Sequence, residues 1–215
     1  MEKLTLYIGN KNYSSWSFRP WLAMEAAGIP FEEGLISFDF AAGNPKFKDI
    51  LPPQQGAVLH HGDLRVWESL SIIEYVADLF PEKQLWPTNI KDRAVARSVS
   101  MEMLGGFRAL RLACPMHMRR KKSKIEVSDA VRNDVERIEN IWRELRARSG
   151  GPYLFGAFSA ADAMFAPVVC RFDVYDLVSS EDIVEYMQVI KSHPAWQKWY
   201  QAAIVEPWTV PEGEA

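Results

Sequence analysis

The spacing of apolar residues changes once along this chain, and that change limits the fold it can adopt. In the first eighty residues, short segments alternate apolar with polar side chains, as Leu4, Leu6 and Ile8 do. Between them lie segments whose apolar residues recur every three or four positions. Alternation indicates strands, and the longer repeat indicates helices. From Ile90 onward only the helical repeat occurs. The sequence therefore predicts an α/β domain followed by an all-helical domain.

The first part reads in the order β-α-β-α-β-β-α. Gly28 and Pro30 end its first helix, and Gly62 is a turn residue between its last two strands. The prolines and sparse apolar residues after position 80 predict a linker. The predicted elements are a strand at 4–8, a helix from Ser17, a strand at 31–38, an irregular helix at 44–51, strands at 58–60 and 64–67, and a helix at 69–80. The predicted domains are 1–80 and 90–215, joined by the linker 81–89.

The second part is predicted to be helical throughout. A long helix from Ile90 to about Met118 and another at 128–147 flank the basic run at 119–122, which is expected to be solvated. Ser159 followed three residues later by Asp162 predicts a capped helix start. Two short helices, at 182–190 and 194–203, complete this half.

Composition narrows the setting. The formal net charge of −3 implies no general attraction to nucleic acid or to anionic membranes. No apolar run approaches the roughly 20 residues that a membrane span requires. Cys114 and Cys170 lack metal-ligand spacing and lie in apolar segments, which predicts buried free thiols and a reducing, cytoplasmic setting. His60 and His61 are neighbours on a strand and point to opposite faces, so no metal site is expected.

Three segments carry a resemblance to a known family. They are YSSWSFR at 13–19, after the first strand, VWESLSIIEY at 66–75, where a strand leads into a helix, and FSAADA at 158–163. Together they resemble the cytosolic glutathione transferases, and the first is similar to the serine motif of the zeta-like and related bacterial members. The resemblance implies a thioredoxin-like N-terminal domain and a C-terminal helical bundle. It also implies glutathione as co-substrate, a small-molecule electrophile and a homodimer.

A transferase of this kind needs the glutathione thiolate, because a thiol with a pKa of about 8.5 is mostly protonated at neutral pH. Lowering that pKa by about 2 units needs roughly 2.7 kcal/mol. A serine hydroxyl donating to the sulfur supplies about 1.5–3 kcal/mol, and a helix N-terminus adds about 0.3–1 kcal/mol. By the resemblance, Ser14 is expected to contact the sulfur, with Ser15 in support and Ser17 as the helix cap.

The resemblance assigns the rest of the glutathione site to two further segments. Glu68 and the helix N-terminus at Ser69 would hold the γ-glutamyl end, although the same pair also fits a capping serine preceded by a surface acid. Before the third strand, Gln55, Gly56 and Ala57 match the turn that usually carries a cis-proline. A non-proline cis bond costs about 2.5–4 kcal/mol. Ala57 therefore either adopts that form or the turn is rebuilt as trans.

The electrophile pocket is expected between the domains, and three functions remain open. Pocket candidates on the helix after the linker are Met103, Phe107, Arg108 and Arg111, of which the two arginines share a face. The first function is conjugation of glutathione to a small hydrophobic electrophile. The second is a glutathione-dependent cis-trans isomerase of the maleylacetoacetate type, which the double serine and the arginine pair suggest. The third is a non-catalytic binding or scaffold protein, suggested by Ala57.

Overall fold

The computed structural model describes residues 2–38, 50, 56–211 and 214. Its first part is a sheet of four strands in the order β2-β1-β3-β4, with bounds β1 Leu4–Ile8, β2 Glu32–Leu35, β3 Val58–His61 and β4 Leu64–Trp67. Strand β1 pairs parallel to β2 and antiparallel to β3, so that Leu6 lies opposite Glu33 on one side and Leu59 on the other. The predicted helix at 44–51 falls outside the described residues, apart from residue 50.

Two helices cover this sheet, α1 at Ser15–Ala26 and α2 at Ser69–Leu79. Helix α1 begins two residues earlier than predicted because Ser14, and not Ser17, is its N-cap. Pro20 therefore lies inside the helix and not in its first turn. A proline there leaves the carbonyl four residues earlier, that of Trp16, without its helical donor.

The second part contains six helices among the described residues: α3 Ile90–Gly105, α4 Arg108–Ala113, α5 Asp129–Ser149, α6 Ala160–Val174, α7 Glu181–Ser192 and α8 Pro194–Ile204. Helix α6 is almost wholly buried and packs against α1 and α3. Its start has the predicted capping box, in which Asp162 accepts from the backbone and the hydroxyl of Ser159 at 2.9 Å each. Together with the mixed sheet, this arrangement confirms the predicted fold class.

The single long helix predicted from Ile90 to Met118 is wrong. The chain breaks at Gly106 and Phe107, and Phe107 has a left-handed φ of 54°. A side chain at Gly106 would place its Cβ 2.5 Å from the backbone oxygen of Glu102, so only glycine fits this bend. The break gives α4 its own direction and brings Arg108 and Arg111 to the space between the domains.

Both cysteines are buried free thiols, as predicted. Burial raises the pKa of each thiol to about 11, which makes both poor nucleophiles at neutral pH. None of the helices in the described part of the chain is long and apolar enough to cross a membrane.

Candidate functional site

Two serines at the start of α1, its N-cap Ser14 and Ser17 in its first turn, share a set of hydrogen bonds with the end of β1. Ser14 caps α1 by accepting from the Ser17 amide at 3.3 Å, and its hydroxyl donates to the Ser17 hydroxyl at 2.7 Å. The Ser17 hydroxyl also accepts from the Gly9 amide at 2.9 Å. Both serines are buried, and Ser17 is fully so. Ser17 therefore joins the helix to the end of β1, and its predicted role as the cap is wrong.

Ser15 has a different environment. As the first residue of α1, it sits at the positive end of the helix and lines a cavity between the two halves of the molecule. Its side-chain hydroxyl makes no hydrogen bond to any residue that the structure describes, whereas the hydroxyl of Ser14 is engaged with Ser17. Of the adjacent serines, Ser15 has the hydroxyl that is available to a molecule in the cavity.

The cavity has a volume of about 360 Å³, within the usual range of small-molecule sites. The sheet domain contributes Ser15 and Trp16 to its lining, and the helical domain contributes Gly105, Arg108, Arg111, Leu112 and Arg171. Arg108 and Arg111 therefore both line this cavity. Met103 and Phe107 are not among the lining residues, because both are buried in the hydrophobic core.

The start of α2 packs directly against the start of α1. The Ser69 hydroxyl donates to the Trp16 carbonyl at 2.8 Å, which is the acceptor that Pro20 leaves open. Ser69 lies inside the helix, so the alternative that it is the N-cap is wrong. The N-cap is Glu68, whose side chain makes no capping hydrogen bond. Among the described residues, no side chain caps the first amides of α2, as an anion site at a helix start requires.

Glu68 also has an unusual backbone. Its φ of 69° and ψ of 130° lie in a region that residues other than glycine rarely adopt. Strain of this kind costs about 1–3 kcal/mol and concentrates at ligand sites. Glu68 is half-buried, and its negative charge favours the charged form of Arg19. Glu68 immediately precedes α2, and it is the residue expected to contact the γ-glutamyl end of glutathione.

The turn before β3 is trans, because no cis peptide bond occurs among the described residues. Ala57 is buried at 3% exposure, and Gly56 lies against Trp16, whose Cβ would be 3.6 Å from a Cβ at position 56. Gln55 lies outside the described residues. The turn is therefore rebuilt as trans, and it borders Trp16, which also lines the cavity.

Two arginines that the sequence patterns did not predict lie at or next to the cavity. Arg19 on α1 is fully buried and donates from Nε to the Met164 carbonyl at 3.1 Å. Arg171 on α6 lines the cavity and donates from Nε to the Cys114 carbonyl at 2.8 Å. Burial is the main cause that lowers the pKa of both guanidinium groups. A signal was present in the sequence, because a charged residue within an apolar helical run is rarely buried without a partner.

The side chains of the two histidines on β3 contact different partners. His61 is hydrogen-bonded through Nδ1 to the Tyr75 hydroxyl at 2.7 Å, while the ring of His60 packs edge-on against Tyr7. Among the described residues, no group of three or more potential ligands could hold a metal ion.

Comparisons with known proteins identify the family. Residues 2–78 match the family model described as glutathione S-transferase, N-terminal domain, and residues 128–202 match its C-terminal domain. A glutathione S-transferase 1 of Dianthus caryophyllus is 25% identical, with 78% of this chain and 76% of the relative covered. A probable maleylacetoacetate isomerase 2 of Drosophila melanogaster is 26% identical, with 86% and 82% covered.

Solved structures with this fold are similar over almost the whole chain. A glutathione transferase homologue from Burkholderia, crystallised with bound glutathione, has a TM-score of 0.72 at 18% identity and covers 94% of this chain and 98% of its own. Poplar glutathione transferase F1 has a TM-score of 0.69 at 19% identity, with 94% and 99% covered. Because both domain models match in order, over the sheet domain and over the helical domain, the chain belongs to the glutathione transferase family.

Proposed function

We propose that this protein is a glutathione transferase in which Ser15 donates a hydrogen bond to the glutathione sulfur and favours its thiolate. Glutathione is the co-substrate of the family to which the chain belongs. The observation that carries the assignment is the free hydroxyl of Ser15 at the edge of the interdomain cavity. The family resemblance favours Ser14 for this contact, but the Ser14 hydroxyl is engaged with Ser17.

Three groups near the cavity favour an anionic sulfur over a protonated one. The Ser15 hydroxyl supplies about 1.5–3 kcal/mol and the N-terminus of α1 about 0.3–1 kcal/mol. The guanidinium groups of Arg111 and Arg171, which line the same cavity, add an attractive field. These contributions match the roughly 2.7 kcal/mol needed to lower a thiol pKa by about 2 units.

The reaction that follows is nucleophilic addition or substitution. The thiol proton leaves to solvent, and the sulfur lone pair forms a bond to the electrophilic carbon of the second substrate. In a substitution the leaving group departs with its bonding electron pair, and in an addition the π bond breaks and its electron pair takes up a proton from solvent. Ser15 stabilises the anion and does not itself attack, while Glu68 and the amides at the start of α2 orient the γ-glutamyl end of glutathione.

The sharpest test compares two adjacent serines. In Ser15→Ala, the pKa in the pH profile of kcat/KM for an aryl halide should rise by about 1–2 units, with a loss of about 10- to 100-fold at neutral pH. Ser15→Thr keeps a hydroxyl and should recover most of the activity. Ser14→Ala should cost about 1 kcal/mol of stability through loss of the cap, without moving that pKa. If only Ser14→Ala moves the pKa, the sulfur contact belongs to Ser14.

Isomerisation is the second candidate, supported by the arginine-lined cavity and by the similarity to a probable maleylacetoacetate isomerase. An isomerase uses glutathione catalytically, so turnover of a cis-dienoic diacid without loss of glutathione would favour it. Calorimetry with millimolar glutathione decides whether either reaction is possible. Absence of binding would leave a non-catalytic role, and recovery of binding in Ala57→Pro would identify the altered turn as the cause.

We also propose that the protein forms a homodimer, as the family resemblance implies. Strand β4 is an edge of the sheet, and its Leu64 and Trp67 are 47% and 45% exposed. Apolar side chains on an exposed sheet edge favour contact with another chain. Sedimentation equilibrium of the wild type and of Trp67→Glu tests this, because the added charge should shift the population toward monomer.

A further inference from the structure

Three arginines from three helices converge behind Ser15 and Trp16. The Arg19 guanidinium on α1 lies 5.4 Å from the centroid of the Trp16 ring, and that of Arg111 on α4 lies 5.2 Å from it. Arg171 on α6 lines the cavity together with Arg111. The positive charges of Arg111 and Arg171 both act on Arg19 and lower its pKa. These side chains therefore form one cationic cluster.

Several donors of this cluster are buried without a partner. The Nη1 and Nη2 atoms of Arg19, which has 0% exposure, make no hydrogen bond, and the same holds for Nη1 of Arg171 at 4% exposure. The great majority of buried polar atoms in proteins have at least one partner. Three open guanidinium donors, one on Arg171 at the cavity wall and two on Arg19 next to the cavity residue Trp16, indicate that a hydrogen-bond acceptor belongs there.

The described part of the chain does not supply that acceptor. Within the described residues, the hydrogen bonds of the three arginines go to backbone carbonyls. None of the three forms an ion pair with a described acidic residue. Glu68 favours the charged form of Arg19 but forms no ion pair with it. Buried guanidinium groups remain protonated at neutral pH, so the cluster carries positive charge that no acidic residue in the described part of the chain pairs with.

We propose that this cluster binds a carboxylate of the second substrate, an assignment that rests on the proposed function for the identity of that substrate. The planar guanidinium fork matches the two oxygens of a carboxylate. Five of the seven residues that line the cavity come from the helical domain, and Ala57, Glu68 and Ser69 are not among them. The cavity wall at the cluster thus belongs mainly to the helical domain, with Ser15, the proposed sulfur contact, lining the same cavity.

The proposal changes the expected class of electrophile. A cavity for a purely hydrophobic compound would not place buried cations at its wall, because an apolar ligand leaves their donors open. Leu112 and the ring of Trp16 provide apolar contact for the rest of the molecule. The preferred substrate is therefore a small electrophile with a carboxylate at one end and its reactive carbon toward Ser15.

Binding of an unreactive dicarboxylate tests the site without any reaction. Calorimetry with succinate, in the absence of glutathione and at constant ionic strength, should show binding to the wild type. Dimethyl succinate, which has the same carbon chain and no charge, should not bind. Succinate should also raise the Tm, because a ligand that binds the folded state stabilises it. Failure of succinate to bind, or equal binding of the diester, would overturn the proposal.

Variants locate the binding. Arg111→Gln should weaken succinate binding by about tenfold or more, and Arg111→Lys by less, since it keeps the charge but loses the fork. Arg65→Gln, an identical change on exposed β4, is the matched control and should bind as the wild type does. Circular dichroism of each variant establishes that it is folded. Equal weakening in Arg65→Gln and Arg111→Gln would show a general charge effect and overturn the site.

A final arm separates the two sources of a carboxylate. Succinate binding that persists with saturating glutathione assigns the cluster to the second substrate. Competition between the two assigns it to a carboxylate of glutathione itself and overturns the proposal as stated. Succinate binding by a protein that does not bind glutathione would refute the proposed transferase function while leaving the anion site in place.

Discussion

The hydroxyl of Ser69 donates a hydrogen bond to the backbone carbonyl of Trp16 at 2.8 Å, and this bond joins the starts of two helices. The acceptor is open because Pro20, four residues after Trp16, has no amide hydrogen. Pro20, which lies inside α1, thus leaves free the carbonyl to which the start of α2 is hydrogen-bonded. Because Ser15 precedes Trp16 and Glu68 precedes Ser69, the same bond sets the distance between the proposed sulfur and γ-glutamyl contacts.

Ser69→Ala should lower the free energy of unfolding by about 1–3 kcal/mol, because it leaves the Trp16 carbonyl without a partner. Pro20→Ala restores the helical donor, so the cost of Ser69→Ala should be smaller in that background. A double-mutant cycle measured by denaturant unfolding gives the coupling, which we expect to be about 1 kcal/mol. An equal cost in both backgrounds would mean that the Ser69 hydroxyl stabilises the protein by some other contact.

Arg119 helps to hold the loop between β1 and α1 in place. The basic run at 119–122 was expected to be solvated, but Arg119 donates to the Tyr13 hydroxyl at 2.9 Å and to the Trp208 carbonyl at 2.8 Å. Its backbone amide donates to the side chain of Asn12 at 2.8 Å. Nearby, the Glu206 carboxylate accepts from the amide of Asn12 at 3.0 Å. The guanidinium thus ties the C-terminal segment to the loop that precedes Ser14.

Arg119→Ala should reduce stability by about 1–3 kcal/mol and raise KM for glutathione more than it lowers kcat, because the loop loses its fixed position. Lys121→Ala, an exposed position in the same basic run, is the control and should change neither quantity. Steady-state kinetics and denaturant unfolding measure both effects. Matching losses in the two variants would point to net charge as the cause.

The fold could be predicted because it depends on patterns that repeat. The alternation at Leu4, Leu6 and Ile8 and the pair Ser159 and Asp162 each specify local structure through sterics and hydrogen bonding that need no distant partner. The break at Phe107 could not be predicted in this way. A left-handed phenylalanine is unfavourable locally, and it is held only by the packing of its ring in the core.

The site was predicted less completely, for a related reason. Which of Ser14 and Ser15 faces the cavity depends on the residue at which α1 begins, and helix ends are the least certain part of any sequence pattern. Arg19 and Arg171 lie 152 positions apart in the chain and meet only through the packing of α1 on α6. Spacing rules relate residues within one element, so they found the pair Arg108 and Arg111 and missed the buried pair.

Asp162 should make stability fall as the pH rises. Its carboxyl is fully buried, and burial raises its pKa to about 6 despite hydrogen bonds from Leu154, Ser159 and Tyr186. In the unfolded chain its pKa is about 3.9, so between about pH 4 and pH 6 the folded state holds the proton more tightly. Unfolding therefore releases a proton in that window, and stability falls with rising pH by up to about 3 kcal/mol from this group.

Denaturant unfolding between pH 4 and pH 7 measures this slope. Asp162→Asn removes the ionisation and should flatten the slope, while lowering stability overall because its amide nitrogen cannot accept the hydrogen bonds that one carboxylate oxygen accepts in the wild type. Tyr186→Phe deletes one donor at 3.0 Å and should raise the pKa of Asp162 further, moving the loss of stability to higher pH. An unchanged slope in Asp162→Asn would assign the pH dependence to another group.

Two adjacent glycines at the end of α3 should respond to alanine in opposite directions. A Cβ at Gly106 would lie 2.5 Å from the backbone oxygen of Glu102, whereas a Cβ at Gly105 meets nothing within 4 Å. Gly105 is helical, so Gly105→Ala should stabilise the protein by about 0.5–1 kcal/mol. Gly106→Ala should destabilise it by about 1–3 kcal/mol, because backbone must move to relieve the clash.

The same pair tests whether the break between α3 and α4 positions the arginines. Any movement of the chain at Gly106 displaces the start of α4, and with it Arg108 and Arg111 at the cavity wall. Gly106→Ala should therefore weaken succinate binding as well as stability, whereas Gly105→Ala should raise stability and keep the binding. Unfolding curves and calorimetry on the two variants check both parts. Full succinate affinity in a destabilised Gly106→Ala would show that the bend serves packing alone.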